Sequence, residues 1–223
     1  MFQLKLKLFK LIQEIFSFFN FRLYYSKDKN ILKNIIIHDI IDVGVATGTN
    51  FLLKTFPNAN YYFIEANKNY YDHIEKKLLS RYKSKLFKFA AGKKEEEKKF
   101  YLSGPISSFY KRKKIKFINS VKVQVKTLDK ILLNEKISKK SILKIDCEGA
   151  ELDVLKGANN ILKNISYVIV ELRLQNIETY NPSELINFLY KNNFCWYEIL
   201  KIYYAKVGID FIDVIFKKKL TKV

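Results

Sequence analysis

The residues best equipped for chemistry in this 223-residue chain are the carboxylates Asp146 and Glu148. They close the short apolar run Leu143-Lys144-Ile145 and precede Gly149 and a helix-like stretch that stops at Gly157. In an open α/β sheet, ligands collect just beyond the carboxyl ends of the strands. The two acids therefore fall where a reacting group belongs. Glu171 ends the next apolar run, from Tyr167, and adds a third carboxylate. Crowded carboxylates raise one another's pKa, which suits a general base. The same oxygens could instead hold a divalent cation that acidifies a substrate hydroxyl. The residue types leave base and metal open, and name no metal ligand set. The histidines offer less: His38 lies just ahead of the first strand and His73 sits in a charged helix.

A binding half stands upstream. Ile40-Ile41-Asp42-Val43-Gly44-Val45-Ala46-Thr47-Gly48-Thr49-Asn50 reads as strand, small-residue loop and helix start. Such a loop brings backbone N–H groups to the anionic end of a ligand, with Gly44 and Gly48 supplying the turn and the close approach. Asp42 offers a partner for a cationic group. A ligand wanting both signs here carries an amino acid moiety rather than a pyrophosphate. Glu65 ends a second strand, Tyr61 to Ile64, about 20 residues on, where a ribose-binding acid belongs in a nucleoside-binding βαβ unit. The D-x-G-x-x-x-G spacing differs from G-x-G-x-x-G and favours S-adenosylmethionine over NAD.

Asp42, Gly44 and Gly48, then Glu65, Thr127-Leu128-Asp129, the block Lys144-Ile145-Asp146-Cys147-Glu148-Gly149-Ala150-Glu151, Leu155-Lys156-Gly157 and Val170-Glu171 resemble the FkbM family of methyltransferases. The likeness runs over roughly residues 36–175, and the Lys-Ile-Asp-x-Glu-Gly-Ala-Glu block is its most specific part. It implies a Rossmann-like class I methyltransferase fold, S-adenosylmethionine as cofactor, and O-methylation of a hydroxyl on a sugar, glycan or glycosylated metabolite. The expected cofactor set is Asp42, Gly44, Val45, Gly48, Asn50, Glu65 and Ala66; the expected catalytic set is Asp146, Glu148 and Glu171. Val45-Ala46 stands where the family usually has Ala-Asn, and Ala66 where it often has Pro.

The elements that must position these groups follow from periodicity. A mostly parallel seven-stranded sheet is expected, closed by an antiparallel pair, Trp196–Ile202 and Asp210–Phe216, joined by a short connection at Gly208. Helices are expected over Phe51–Phe56, Asn67–Tyr82, Asp129–Leu133 and Pro182–Asn192, with a third strand over Leu86–Ala91. Lys98–Leu102 and Val121–Val125 alternate like two exposed strands. Between them, Ser103-Gly104-Pro105-Ile106-Ser107-Ser108 reads as a plain turn or as a loop that covers the site, with Ser107 and Ser108 orienting a substrate hydroxyl.

Length and 48% apolar content fit one methyltransferase domain over 31–223, preceded by a lead-in over 1–30. Leu4, Leu8, Leu11, Ile12, Ile15, Phe18 and Phe19 share one face of a helical wheel. That face packs on the domain, pairs two subunits in a homodimer, or lies on a membrane through residues 1–20. Charges interrupt it well short of the ~20 apolar residues of a membrane span. Cys147 and Cys195 are too few for a disulfide framework or a zinc site, and their apolar neighbours predict buried thiols. The expected location is the cytoplasm, with the inner face of the membrane as the alternative. A net charge of +19 raises the question of nucleic acid. Lysine supplies nearly all of it, whereas phosphate-gripping surfaces favour arginine's fork as well. The run Lys111-Arg112-Lys113-Lys114 is the best candidate for an anion-facing patch. An RNA methyltransferase is thus the lesser alternative, and a catalytically silent binding module of the same fold is another.

Overall fold

A computed structural model of the chain describes residues 31–111, 115–175 and 179–219. The amphipathic segment over 1–20 and the core of the basic run, residues 112–114, lie outside the described residues. Residues 31–35 form a turn in which the Ile35 N–H donates to the Leu32 carbonyl.

Residues from Ile36 onward build two sheets. Long apolar runs with no alternation fold as strands buried on both faces. β1 (Asp39–Val43) and β7 (Ser141–Ile145) are buried at every position, and β8 (Tyr167–Arg173) at all but its last. With β2 (Asn60–Ile64) and β3 (Ser84–Phe87) they pair in parallel. β10 (Ile209–Lys218) runs antiparallel to both β8 and β9 (Phe194–Tyr204). The sheet order is β3-β2-β1-β7-β8-β10-β9. The order of the strands reverses between β1 and β7, so a switch-point crevice opens at their carboxyl ends.

The second sheet has three strands in the order β4-β6-β5, from β4 (Ala90–Ala91), β5 (Glu96–Leu102) and β6 (Asn119–Lys126). The single strand expected over Leu86–Ala91 is in fact two: its first half joins the large sheet through β2, while Ala90 and Ala91 pair with Val125 and Lys126. Ala has no bulk to hold the chain in the first sheet, and Phe89 between the halves packs against the core.

Helices flank the large sheet: α1 (Asn50–Thr55), α2 (Leu128–Ile131), α3 (Glu151–Lys156), α4 (Ile161–Asn164) and α5 (Pro182–Lys191). α5 starts where sequence rules put it, with Pro182 in the first turn and the Asn181 side chain accepting the Ser183 N–H. The helix expected over Asn67–Tyr82 is a run of three kinds of turn: 3-10 at Lys68–Tyr70, α at Tyr71–His73 and π at Ile74–Leu79. The core between sheet and helices joins Ile41, Leu143 and Val168 of the strands to Leu152, Leu155 and Leu185 of the helices.

Candidate active site

Gly44 fixes the floor of the crevice. It sits at φ +78°, and a Cβ built on it would lie 1.9 Å from the Asp146 carbonyl oxygen. Only glycine lets β1 and β7 stay this close past their ends. The Asp146 N–H donates to the Val43 carbonyl, and the Gly44 N–H to that of Ile64. The last residues of three adjacent strands are thereby locked together.

A cleft enclosing about 520 Å³, part of it open to solvent, lies over this floor. Gly44 and Ala46 line it from β1, Glu65 and Asn67 from β2, and Asp146 and Glu148 from β7. Phe89, Phe100, Pro105 and Phe109 supply an apolar wall from the small sheet and its loop. Three carboxylates thus face the cleft, and among the described residues that line it there is no Lys, Arg or His.

Glu65 is nearly fully buried. Its Oε2 accepts the Ala46 N–H at 2.8 Å and its Oε1 the Asn67 N–H at 2.7 Å. Each oxygen keeps a second lone pair, so the carboxylate can still receive two hydroxyls. Burial raises its pKa, and the N–H bonds from Ala46, Asn67 and Ala66 work the other way. Ala46 takes a left-handed φ of 46° to point its N–H at this acid.

Asp42 is 1% exposed and does not line the cleft. It faces Lys144, whose ammonium lies 3.3 Å from Asp42 Oδ1 and 3.4 Å from Asp146 Oδ2, and donates to the Gly44 carbonyl at 3.3 Å. The Asp42 contact is an ion pair without an aligned hydrogen bond. Burial by itself would lower the Lys144 pKa; Asp42 and Asp146 override it and raise it. The cation that Asp42 pairs with is therefore the chain's own.

The acidic turn after β7 is held from below. Glu151, fully buried in the first turn of α3, accepts the N–H groups of Cys147 and Gly149. Glu148 is thereby set at φ 54°, and its carboxylate reaches Arg173 Nη2 at 2.6 Å. The same nitrogen lies 2.6 Å from Glu171 Oε1. Glu171 does not line the cleft; burial first, then Asp146, push its pKa above the usual carboxylate range, while Arg173 works the other way. The structure brings Asp146, Glu148 and Glu171 to one end of the crevice, with Arg173 seated between the last two and Lys144 between Asp146 and Asp42. Among the described residues, no group of three or more His, Cys, Asp or Glu side chains could hold a metal ion.

The Ser103–Ser108 loop closes over the cleft, and its hydroxyls are spent on holding it there. Ser107 Oγ donates to the Gly104 carbonyl and accepts from Ser103 N–H and Asn67 Nδ2. Ser108 Oγ donates to the Glu148 carbonyl at 2.7 Å. Ser107 lines the cleft; Ser108 is buried beneath it. Val45 is buried, Gly48 closes the loop through its N–H to the Val45 carbonyl, and Asn50 opens α1 as an exposed residue; none of the three lines the cleft. Ala66 does. Cys147 and Cys195 are free and half-buried rather than fully enclosed.

Sequence reasoning overlooked the roles of Lys144, Arg173, Glu151 and Asn67. A lysine inside the otherwise apolar run Ser141–Ile145 is a usable signal, since a buried ammonium requires carboxylate partners.

A seven-stranded sheet with one reversed strand and a cleft at its switch point defines a class I methyltransferase fold. The sequence profile of the Methyltransferase FkbM domain matches residues 42–196, and the chain belongs to that family. A crystal structure of methyltransferase FkbM from Methylobacillus flagellatus superposes with a TM-score of 0.52 at 14% identity, over 81% of this chain and 43% of that one. An rRNA methylase from Streptococcus thermophilus gives 0.50 at 10% identity, over 87% and 99%. At such identities the likeness is one of fold. The hexuronic acid methyltransferase AglP of Haloferax volcanii is 40% identical over 50 residues, which is 22% of this chain and 21% of that protein.

Proposed function

We propose that the chain is an S-adenosylmethionine-dependent O-methyltransferase that acts on a sugar hydroxyl. The observation that carries this reading is the charge of the cleft. In a chain of net charge +19, the cleft presents Glu65, Asp146 and Glu148 and no basic side chain among its described residues. Lys144 and Arg173 offset part of this charge from behind Asp146 and Glu148, yet the acids of the site outnumber them, and such a surface favours a sulfonium cation over a pyrophosphate or an RNA backbone. Glu65 would hold the ribose hydroxyls and Gly44 would admit the cofactor close to the backbone. The cofactor supplies the methyl group when bound.

The acceptor needs a base. Asp146 is the most exposed of the three catalytic candidates, its side chain 40% accessible, and it lines the cleft. It would take the hydroxyl proton, while Glu148 and Glu171 anchor Arg173 and fix the far wall. Base catalysis is favoured over a divalent cation because Asp146 already faces Lys144, and Glu148 and Glu171 already share Arg173. The sugar acceptor draws support from the short likeness to AglP, a hexuronic acid methyltransferase.

The test is calorimetric titration with S-adenosylmethionine, S-adenosylhomocysteine and NAD. Selective binding of the two sulfur nucleosides is expected, weakened roughly 10- to 100-fold in Glu65→Gln by loss of charge-assisted hydrogen bonds. Binding of NAD alone, or unchanged affinity in the variant, overturns the cofactor assignment. Asp146→Asn should bind cofactor normally and lose about 10²- to 10⁴-fold in turnover on a sugar acceptor.

A further inference from the structure

The β9–β10 hairpin gathers five of the large hydrophobic side chains exposed on the described surface. β9 is the outer strand of the large sheet, and Trp196, Tyr197 and Ile199 are exposed along it. At the tip, Tyr204 is 53% and Val207 79% exposed. Lys201 and Lys206 stand exposed toward this tip, and Lys219 at the far end of the hairpin. Their neighbours carry cations on aromatic faces: the Lys201 ammonium is 4.1 Å from the Tyr203 ring centre, and that of Lys217 is 5.1 Å from Tyr197.

The hairpin also has a defined place. β10 is antiparallel to β8 and β9, so the 205–208 turn lies at the carboxyl end of β8, the end that carries Arg173. Gln175 Nε2 donates to the Val207 carbonyl at 2.8 Å, and the Leu174 N–H to that of Asp210. Leu174 is exposed beside them. An apolar tip is thus fastened to the rim of the crevice on its acceptor side.

We propose that this hairpin is a docking surface for an anionic lipid bilayer. Tyr204, Val207 and Leu174, exposed at the tip, suit the boundary between headgroup and acyl chain, and Lys201 and Lys206 beside them add attraction to anionic headgroups. A second copy of the chain fits worse. Two molecules of charge +19 would bring ringed lysines together, and β9 shows three register irregularities against β10, which blunt a sheet edge for pairing. Nucleic acid fits less well, since aliphatic Val207 and Leu174 stand exposed beside Tyr204 and give bases no stacking face. Docking here would set the acceptor end of the cleft against the membrane surface. The inference is independent of the reaction assigned above.

Co-sedimentation of the full chain with vesicles tests it, using phosphatidylcholine alone and mixed with phosphatidylglycerol. Binding is expected only with phosphatidylglycerol and should weaken with salt. Lys201→Glu with Lys206→Glu should reduce partitioning at least about tenfold, and Val207→Asp should do likewise, both with unchanged circular dichroism and melting temperature. The lysine pair is exposed and remains informative if Val207→Asp misfolds. Partitioning equal in wild type and the lysine variant overturns the proposal, because the contact would then lie elsewhere on the chain. So does failure to bind anionic vesicles, and so does a dimer in sedimentation velocity that Val207→Asp dissolves.

Discussion

Replacing Lys144 by methionine removes the ammonium that lies between Asp42 and Asp146 while keeping most of the side-chain volume. Asp146 can turn to solvent, but Asp42 is 1% exposed and cannot. A buried carboxylate then loses its counter-charge, a change that costs about 3–5 kcal/mol when one partner of a buried pair is deleted. For a chain of this size each kcal/mol moves the melting temperature by roughly 2–4 °C, so a fall of about 6–20 °C is expected. Asp42→Asn removes the stranded charge, and in that background the Lys144→Met penalty should shrink by about 0.5–3 kcal/mol, the usual coupling of contacting residues. The pH dependence has a definite sign. The folded Lys144 pKa is raised, so its contribution is fully present below the unfolded value and is lost only in alkali. Denaturant melts of the four proteins measure all of this. A Lys144→Met penalty below about 1 kcal/mol, or one of equal size in the Asp42→Asn background, would refute the buried-pair account.

Two further outcomes follow from the same geometry. Gly44→Ala must hold a left-handed φ, which costs about 1–2 kcal/mol, and must also relieve the 1.9 Å overlap with a backbone oxygen. A melting temperature lowered by at least about 6 °C with loss of cofactor binding is expected, and a fully stable, binding-competent variant would contradict the close approach. Glu171 has a raised folded pKa, so its stabilising contribution is present below the ordinary carboxylate range and is lost as pH rises through the raised value. Glu171→Gln should therefore gain on wild type between about pH 5 and pH 9 in paired melts; a constant difference across that range would count against the shift.

Much of the scaffold was legible because strand signals are local. The runs at 40–43, 141–145 and 167–171 are mostly apolar without alternation, and each became a strand buried on both faces. The antiparallel closure could be read from the short connection at Gly208. What sequence could not supply was side-chain partnership across long separations. Asp42 looked like a ligand contact until Lys144, about a hundred positions on, was seen beside it. Ser107 and Ser108 looked like substrate hydroxyl contacts, yet their own hydrogen bonds tie the loop to Asn67 and Glu148. The split of the third strand was hidden because Ala90-Ala91 satisfies either sheet, and only the partner β6 decides.

The position of β1 has a consequence for how the chain is made. Its outer edge can pair with β2 once residue 64 has left the ribosome, but its other edge belongs to β7, which begins at Ser141. At ordinary synthesis rates that partner arrives about 4–16 s later. Meanwhile Ile40, Ile41 and Val43 form an apolar strand with an open edge, and Asp39 and Asp42 are the groups on it that oppose sticking. The buried acid that later meets Lys144 thus also serves as a temporary guard against misassociation of the nascent chain.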